Sequence, residues 1–251
     1  MRECIEFSES QNMNQIGATI QGESVQAKDI SIDGLLLGYA YEQRKALLDT
    51  FVPQVGGRFI FNDEWEIAVV PRITPKIERK RHNPKFMLVM HAPYPYWRRR
   101  RETVVSLAGL TRAFRFPWNI SVPYRFSTRT ESFFANAYNG GNVPASFDVR
   151  FVAVTALSNP MITRVGTNEF LRIEKDLEAG ETIDISTDSG LTVMSTVQGI
   201  STNAFGYLDL DSSLFKLEVG DNMLRYDADD NREGLECFVI MRDTISVCIC
   251  V

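Results

Sequence analysis

Histidine is nearly absent from this sequence: His82 and His91 are the only two. Metal centres and catalytic triads built on imidazole therefore have almost nothing to work with. Cysteine is scarce too. Cys4, Cys237, Cys248 and Cys250 are the full set, and no Cys-x-x-Cys pair occurs. Cys248 and Cys250 stand two apart, which puts them on one face of a strand. They read either as a metal or redox pair or as small buried apolar residues in a reducing compartment. The second reading is favoured, because no histidine lies nearby, so both are expected to be free, buried and without metal. No apolar run approaches the roughly 20 residues of a membrane helix. The opening MRECIEFSES lacks the apolar core of a secretion signal. Nucleophile elbow, phosphate loop, dinucleotide-binding glycine motif, HExxH and EF-hand patterns are all missing. The expectation is a protein that is not an enzyme and needs no cofactor.

What is present is ordinary globular material, 44% hydrophobic and 24% charged, in a length that favours two domains. The net charge of -5 is unevenly spread. Residues 1–101 hold 15 Lys+Arg and 12 Asp+Glu, a net of +3, whereas residues 102–251 hold 12 and 20, a net of -8. A general nucleic-acid binder is usually basic throughout, so no specific nucleic-acid partner is expected. Residues 72–101 alone carry ten Lys+Arg against a single acid, Glu78. They read as an anion-facing patch or as a solvated hairpin tip followed by a charged linker.

Strand signals dominate. Ile30 and Ile32 alternate with polar residues before an Asp33-Gly34 turn, and GGRFIFNDEWEIAVVP reads as a hairpin. Its strands run Arg58–Phe61 and Trp65–Val70 about a turn at Asn62-Asp63, and Pro71 ends the second. The apolar run KFMLVMHA predicts a strand buried on both faces. One amphipathic window predicts a helix over 41–51, with Leu47, Leu48 and Phe51 on one face and Pro53 as its stop. After residue 104 short strands recur between turn signals such as Asn159-Pro160 and Gly220-Asp221-Asn222, as in a β-sandwich or jelly roll.

Three stretches invite functional readings. DADDNRE, residues 227–233, has the acids of a calcium loop without its spacing, so an acidic loop tip is the better reading. YNGGN, residues 138–142, fits a sugar-stacking loop or, more simply, a turn whose Asn and Gly tolerate positive φ. HAPYPYWRRRR, residues 91–101, ends a strand at two prolines. Tyr94, Tyr96 and Trp97 are expected to pack a corner, and Arg98, Arg99, Arg100 and Arg101 to open the passage to the second domain. These seven are the candidate interface and junction residues. Four adjacent cations repel one another, so at least two are expected to pair with carboxylates across that junction or a subunit interface.

The order of the blocks EQRKALLDTFVP, GGRFIFNDEWEIAVVP, APYPYW, FPWNI, NGGNVPASFDVRF, NPMI, LEAGETIDIST and LDLDSSLFKLEVGDN resembles the distal tail proteins of siphophages, the baseplate-hub family. The most specific part is the last block, where Ser213, Leu217, Gly220 and Asn222 fit an S-x-F-x-L-x-x-G-x-N ending. The resemblance implies a mainly β chain: an N-terminal ring-forming β domain with one α-helix, residues 1–104, and a C-terminal galectin-like or jelly-roll β-sandwich, residues 105–251. Family members carry more strands ahead of the segment that begins near Ile16, so this ring domain is short or starts inside one. The resemblance further implies a structural protein of the virion tail, assembled in the host cytoplasm. Its partners would be further copies of itself in a hexameric ring, a tail tube protein, a tail-tip protein and a receptor-binding protein, with no membrane. The alternative is a carbohydrate-binding adhesion module.

Overall fold

The computed structural model describes residues 5–11, 16–38, 41–107, 110–112, 127–129, 133–187 and 190–246. Cys4, Cys248, Cys250 and the FPWNI block lie outside the described residues. The chain divides into two compact units, one of Met1–Arg100 with the chain from Ile245, the other of Arg101–Thr244. Among the described residues no helix is long and apolar enough to cross a membrane.

The first unit is built on an antiparallel sheet. Trp65–Pro71 lies between Trp97–Arg99 and Lys85–Ala92, and Lys28–Leu35 follows on the far side of Lys85–Ala92. The hairpin strand Gly57–Phe61 also pairs with Trp65–Pro71, and the short Lys76–Ile77 pairs with Lys85–Ala92. Its turn sits where the sequence places it, with Asn62 and Asp63 at positive φ of 50° and 57°. Ile67, Val69, Leu88, Met90, Ala92 and Trp97 are buried together, with Ile30, Ile32, Phe51, Phe59 and Phe61 packed around them. Ile5–Ser10 and Thr19–Val25 form a separate two-stranded ribbon.

Two expectations for this unit need correction. Lys85–Ala92 is buried on one face only: Leu88, Met90 and Ala92 point inward, while Met87 is 39% exposed. A continuous apolar run does not show which face the sheet covers, and here the face of Met87, Val89 and His91 is only partly covered. The predicted helix exists as Tyr41–Thr50, but none of its residues is buried. Leu47 is half-buried and Leu48 exposed, and the anchor to the core is Phe51, just past the helix end.

The second unit is a β-sandwich of antiparallel strands. One sheet orders Phe134–Asn139, Gly220–Asp227, Met161–Arg164 and Phe170–Arg172. The other orders Ile200–Asn203, Thr192–Val197, Thr182–Ser186, Phe147–Ala153, Leu235–Met241 and Thr103–Ser106. Strict alternation explains the core. Phe147, Val149, Phe151 and Ala153 face inward from one strand and Leu235, Cys237, Val239 and Met241 from its neighbour. Ala137, Ile162, Leu171, Leu224 and Tyr226 join the same core from the other sheet. Full burial of side chains of this size contributes roughly 1.5–3 kcal/mol each. Cys237 is free and fully buried, and burial pushes its thiol pKa far up, so it is an inert core residue.

Candidate functional site

In the corner that follows Lys85–Ala92, Pro95 is buried and Pro93 exposed. Tyr94 and Tyr96 meet edge-on with ring centroids 5.3 Å apart. Trp97 is 4% exposed and packs against Phe59 at 5.7 Å and Phe61 at 6.4 Å, which makes it a core residue of the first unit. The Trp97–Arg99 strand pairs antiparallel with Trp65 and Glu66, setting Arg98 opposite Glu66 and Arg99 opposite Trp65.

That register decides where the arginines go. The Arg98 guanidinium lies 4.4 Å from the centre of the Tyr94 ring. Arg99 lies over Trp65 at 5.7 Å and donates to Glu64 Oε1 at 2.8 Å. The Arg100 backbone N–H donates to the Glu64 carbonyl at 2.8 Å, and its side chain pairs with Asp63. Arg101 forms no ion pair among the described residues. So at least two of the four, Arg99 and Arg100, pair with carboxylates, and Glu64 and Asp63 belong to the hairpin turn of the same unit. A three-residue turn holding Asp63 and Glu64 opposite the run was the available signal, and net charge by halves hid it.

Beside this corner, Asp29 accepts from His91 Nδ1 at 2.7 Å and pairs with Arg72. The hydrogen bond to His91 holds the Asp29 carboxyl below its ordinary value, Arg72 adds to this, and partial burial opposes it. Farther along, the tip between Lys76–Ile77 and Lys85–Ala92 is tied down. Arg44 of the helix donates to the Glu78 carbonyl at 2.7 Å and the Lys80 carbonyl at 3.2 Å. Asn83 accepts from the Gly38 N–H at 2.7 Å and returns its own N–H to the Gly38 carbonyl at 3.2 Å.

In the second unit the stretches with functional readings have structural explanations. Asp229 of DADDNRE pairs with Arg172 at 2.5 Å, and Asp227 pairs with Arg232 at 3.3 Å. No cluster of potential metal ligands occurs among the described residues. Within YNGGN, Asn139 is fully buried and donates to the Val143 and Leu217 carbonyls, both at 3.0 Å. Its glycines are not there for positive φ: a Cβ on Gly141 would strike the Thr244 backbone carbonyl. Asn222 is 3% exposed, and its Nδ2 donates to the carbonyls of Glu218 (2.8 Å), Gly220 (3.1 Å) and Ala137 (3.2 Å). Its Oδ1 accepts from the Glu218 N–H at 2.9 Å. With Phe215 and Leu217 buried and Gly220 at φ 91°, the S-x-F-x-L-x-x-G-x-N ending is a turn closed by a buried amide. Glu181, missed in the sequence, is 2% exposed. It pairs with Lys175 and accepts from Ser195 Oγ at 2.6 Å and the Glu178 N–H at 3.2 Å. Burial pushes its pKa up, but those donors outweigh it and leave it lowered. A lone glutamate after a glycine gave no sign of this.

The described residues thus form a small β unit with its own core and a β-sandwich with a second core. Residues 140–236 match the family described as siphovirus-type tail component, C-terminal domain. This match places the C-terminal domain of a siphovirus-type tail component within the second unit. Among solved structures it is similar to SPP1 Dit (gp 19.1), described as a paradigm of the hub adsorption apparatus in Gram-positive-infecting phages. The TM-score is 0.71 at 13% identity, over 97% of this chain and 89% of that one. A chain of the phage P2 baseplate in its activated conformation with calcium matches with a TM-score of 0.53 at 10% identity, over 96% of this chain and 87% of that one. The strontium form gives 0.51 at 9% identity, with 96% and 87% covered. At these identities the likeness is one of fold. No curated protein sequence matches the chain.

Proposed function

We propose that this protein is the hub at the distal end of a siphophage tail tube, where six copies close into a ring through the first unit. The ring would join the tail tube protein to the tail-tip protein, and the β-sandwich would carry the receptor-binding apparatus. The observation that supports this is the apolar surface of the first unit. Tyr41 is 68% exposed on a helix with no buried residue, Leu37 is 69% exposed, and Val52, Val55 and Ile60 are exposed as well. Exposed apolar side chains of this number on so small a core support the reading that another chain covers them. In a homomeric ring the contact is heterologous, one patch of a copy meeting a different patch of the next, and it closes when the rotation does. The division at residues 104 and 105 belongs to this reading, with 1–104 as the ring-forming part and 105–251 as the projecting one.

Mass photometry and negative-stain microscopy of the purified chain test it. Six-fold rings are expected, and Tyr41→Asp should return them to single chains while leaving the fold intact by circular dichroism. A wild-type chain that stays monomeric up to high micromolar concentration removes the ring from the reading.

A further inference from the structure

The strongest charged feature outside the corner is the tip of the Lys76–Lys85 hairpin. Between residues 76 and 85 the sequence holds Lys76, Arg79, Lys80, Arg81 and Lys85 against Glu78 alone. Arg79, Lys80 and Arg81 are exposed. Among the described residues, Lys76, Arg79 and Arg81 form no ion pair, while Lys80 pairs with Glu78 at 3.2 Å. Glu78 is otherwise engaged, accepting the Lys85 N–H at 3.2 Å.

A solvated charge run would ordinarily be loose, so that its cations could spread apart. This one is held. Arg44 clamps the carbonyls of Glu78 and Lys80, and Asn83 and Gly38 exchange two hydrogen bonds. The clamp is itself a cation, so it adds to the repulsion it fixes in place. Stability alone would favour an acid there. A fixed positive projection compensated only by Glu78 is instead preorganised for a polyanion, because little conformational freedom remains to be lost on binding.

We infer that this tip is a binding site for the phosphate backbone of double-stranded nucleic acid, read without regard to sequence. The tip, residues 78–83, has no aliphatic side chain and no Phe, Tyr or Trp. Exposed apolar groups flank the tip without entering it: Leu37 and Tyr41 on either side of the Gly38 anchor, Leu35 opposite Lys85 and Met87 opposite Lys76. Protein interfaces have an apolar, often aromatic centre and little lysine, whereas interfaces with nucleic acid are polar and strongly positive. Without Phe, Tyr or Trp the tip lacks the main platforms for stacking single-stranded bases. Contacts to phosphates through Arg79, Lys80 and Arg81, with Lys76 and Lys85 behind them, give affinity that falls steeply with salt.

The test is fluorescence anisotropy of a labelled 20-base-pair duplex titrated with the full chain from low to physiological salt. Wild type should bind in the micromolar range, with log affinity falling against log salt at a slope of about -3 to -4. The triple variant Arg79→Gln, Lys80→Gln, Arg81→Gln should bind at least ~10-fold more weakly at low salt and lose about three from that slope. A charge-matched control, Arg58→Gln, Arg101→Gln, Lys216→Gln, should bind as wild type does. Thermal melting of all three proteins guards against unfolding. Equal binding by the triple variant and wild type, or no binding by either, overturns the inference. Displacement of the duplex by polyglutamate at equal charge concentration also overturns it, and assigns the tip to an acidic protein partner. Ring formation is read separately, by mass, so the two proposals can fail independently.

Discussion

At the scale of single residues, the second unit holds buried polar side chains, Asn222 and Glu181, that each have several partners. Asn222 satisfies three carbonyls and one N–H with one amide. Asn222→Ala should leave these buried groups unpaired and cost about 2–3 kcal/mol in denaturant unfolding. Asn222→Asp should cost nearly as much, because a carboxylate has no N–H to give. A loss below ~0.5 kcal/mol would mean that water replaces the amide. Glu181 is the corresponding charged case. Removing it strands Lys175, which is 22% exposed at its side chain, and Glu181→Gln should cost about 3 kcal/mol at pH 7. The pH dependence follows from the direction of the shift. The folded carboxyl lies below its ordinary 4.5, so its stabilisation is complete above that value and fades as the pH falls through the folded one. The stability gap between wild type and Glu181→Gln should therefore narrow below about pH 4.5, as read by urea unfolding at stepped pH. A gap that is flat or widens toward acid contradicts the pairing.

At the scale of elements, close approach and register matter more than propensity. Gly141 lies against the Thr244 carbonyl, so Gly141→Ala should destabilise by about 1–3 kcal/mol. Gly56→Ala is the control, since a Cβ there meets nothing within 4 Å. The arginine run is the contrasting case. Arg99 and Glu64 are 42% and 49% exposed, and Arg100 and Asp63 are 40% and 89% exposed. Such pairs contribute about 0.2–1 kcal/mol and weaken with salt. A double-mutant cycle on Arg99 and Glu64 should return a coupling within that range at low salt and near zero at high salt. A larger coupling would show that the turn–strand contact is a main support of the sheet. The run therefore stiffens a hairpin turn, and the corner is held chiefly by Trp97.

At the scale of the whole molecule, two separate cores predict two responses to damage. Trp97→Ala removes the largest side chain of the first core and should cost about 3–5 kcal/mol there. Calorimetry should show Trp97→Ala lowering one thermal transition and Glu181→Gln lowering another. A single transition shifted by both variants would mean that the units melt together. The first core is the smaller one, with fewer buried side chains among the described residues. If the first unit assembles as proposed, so small a core would tie its stability to that assembly.

The sequence by itself determined the class of elements and many of their ends. Period-two alternation of Phe147, Val149 and Phe151 is legible in the sequence, and these are the residues that face inward, because a strand sends every second side chain to one face. Asn62-Asp63 and Pro53 marked the hairpin turn and the end of the helix, because backbone dihedrals are local properties. The ordered blocks led to the tail-component family through residues that the fold then explains, such as Gly220 at positive φ beside the buried amide of Asn222. Only the tertiary structure decided which face of Lys85–Ala92 is covered, that the helix buries nothing, and that Arg99 and Arg100 meet Glu64 and Asp63. It alone placed Arg44 under the tip and Lys175 beside Glu181. Each of these depends on which strands become neighbours. Pairing joins residues distant in the chain through backbone hydrogen bonds that all residues except proline can make, so composition and local pattern carry no record of the choice.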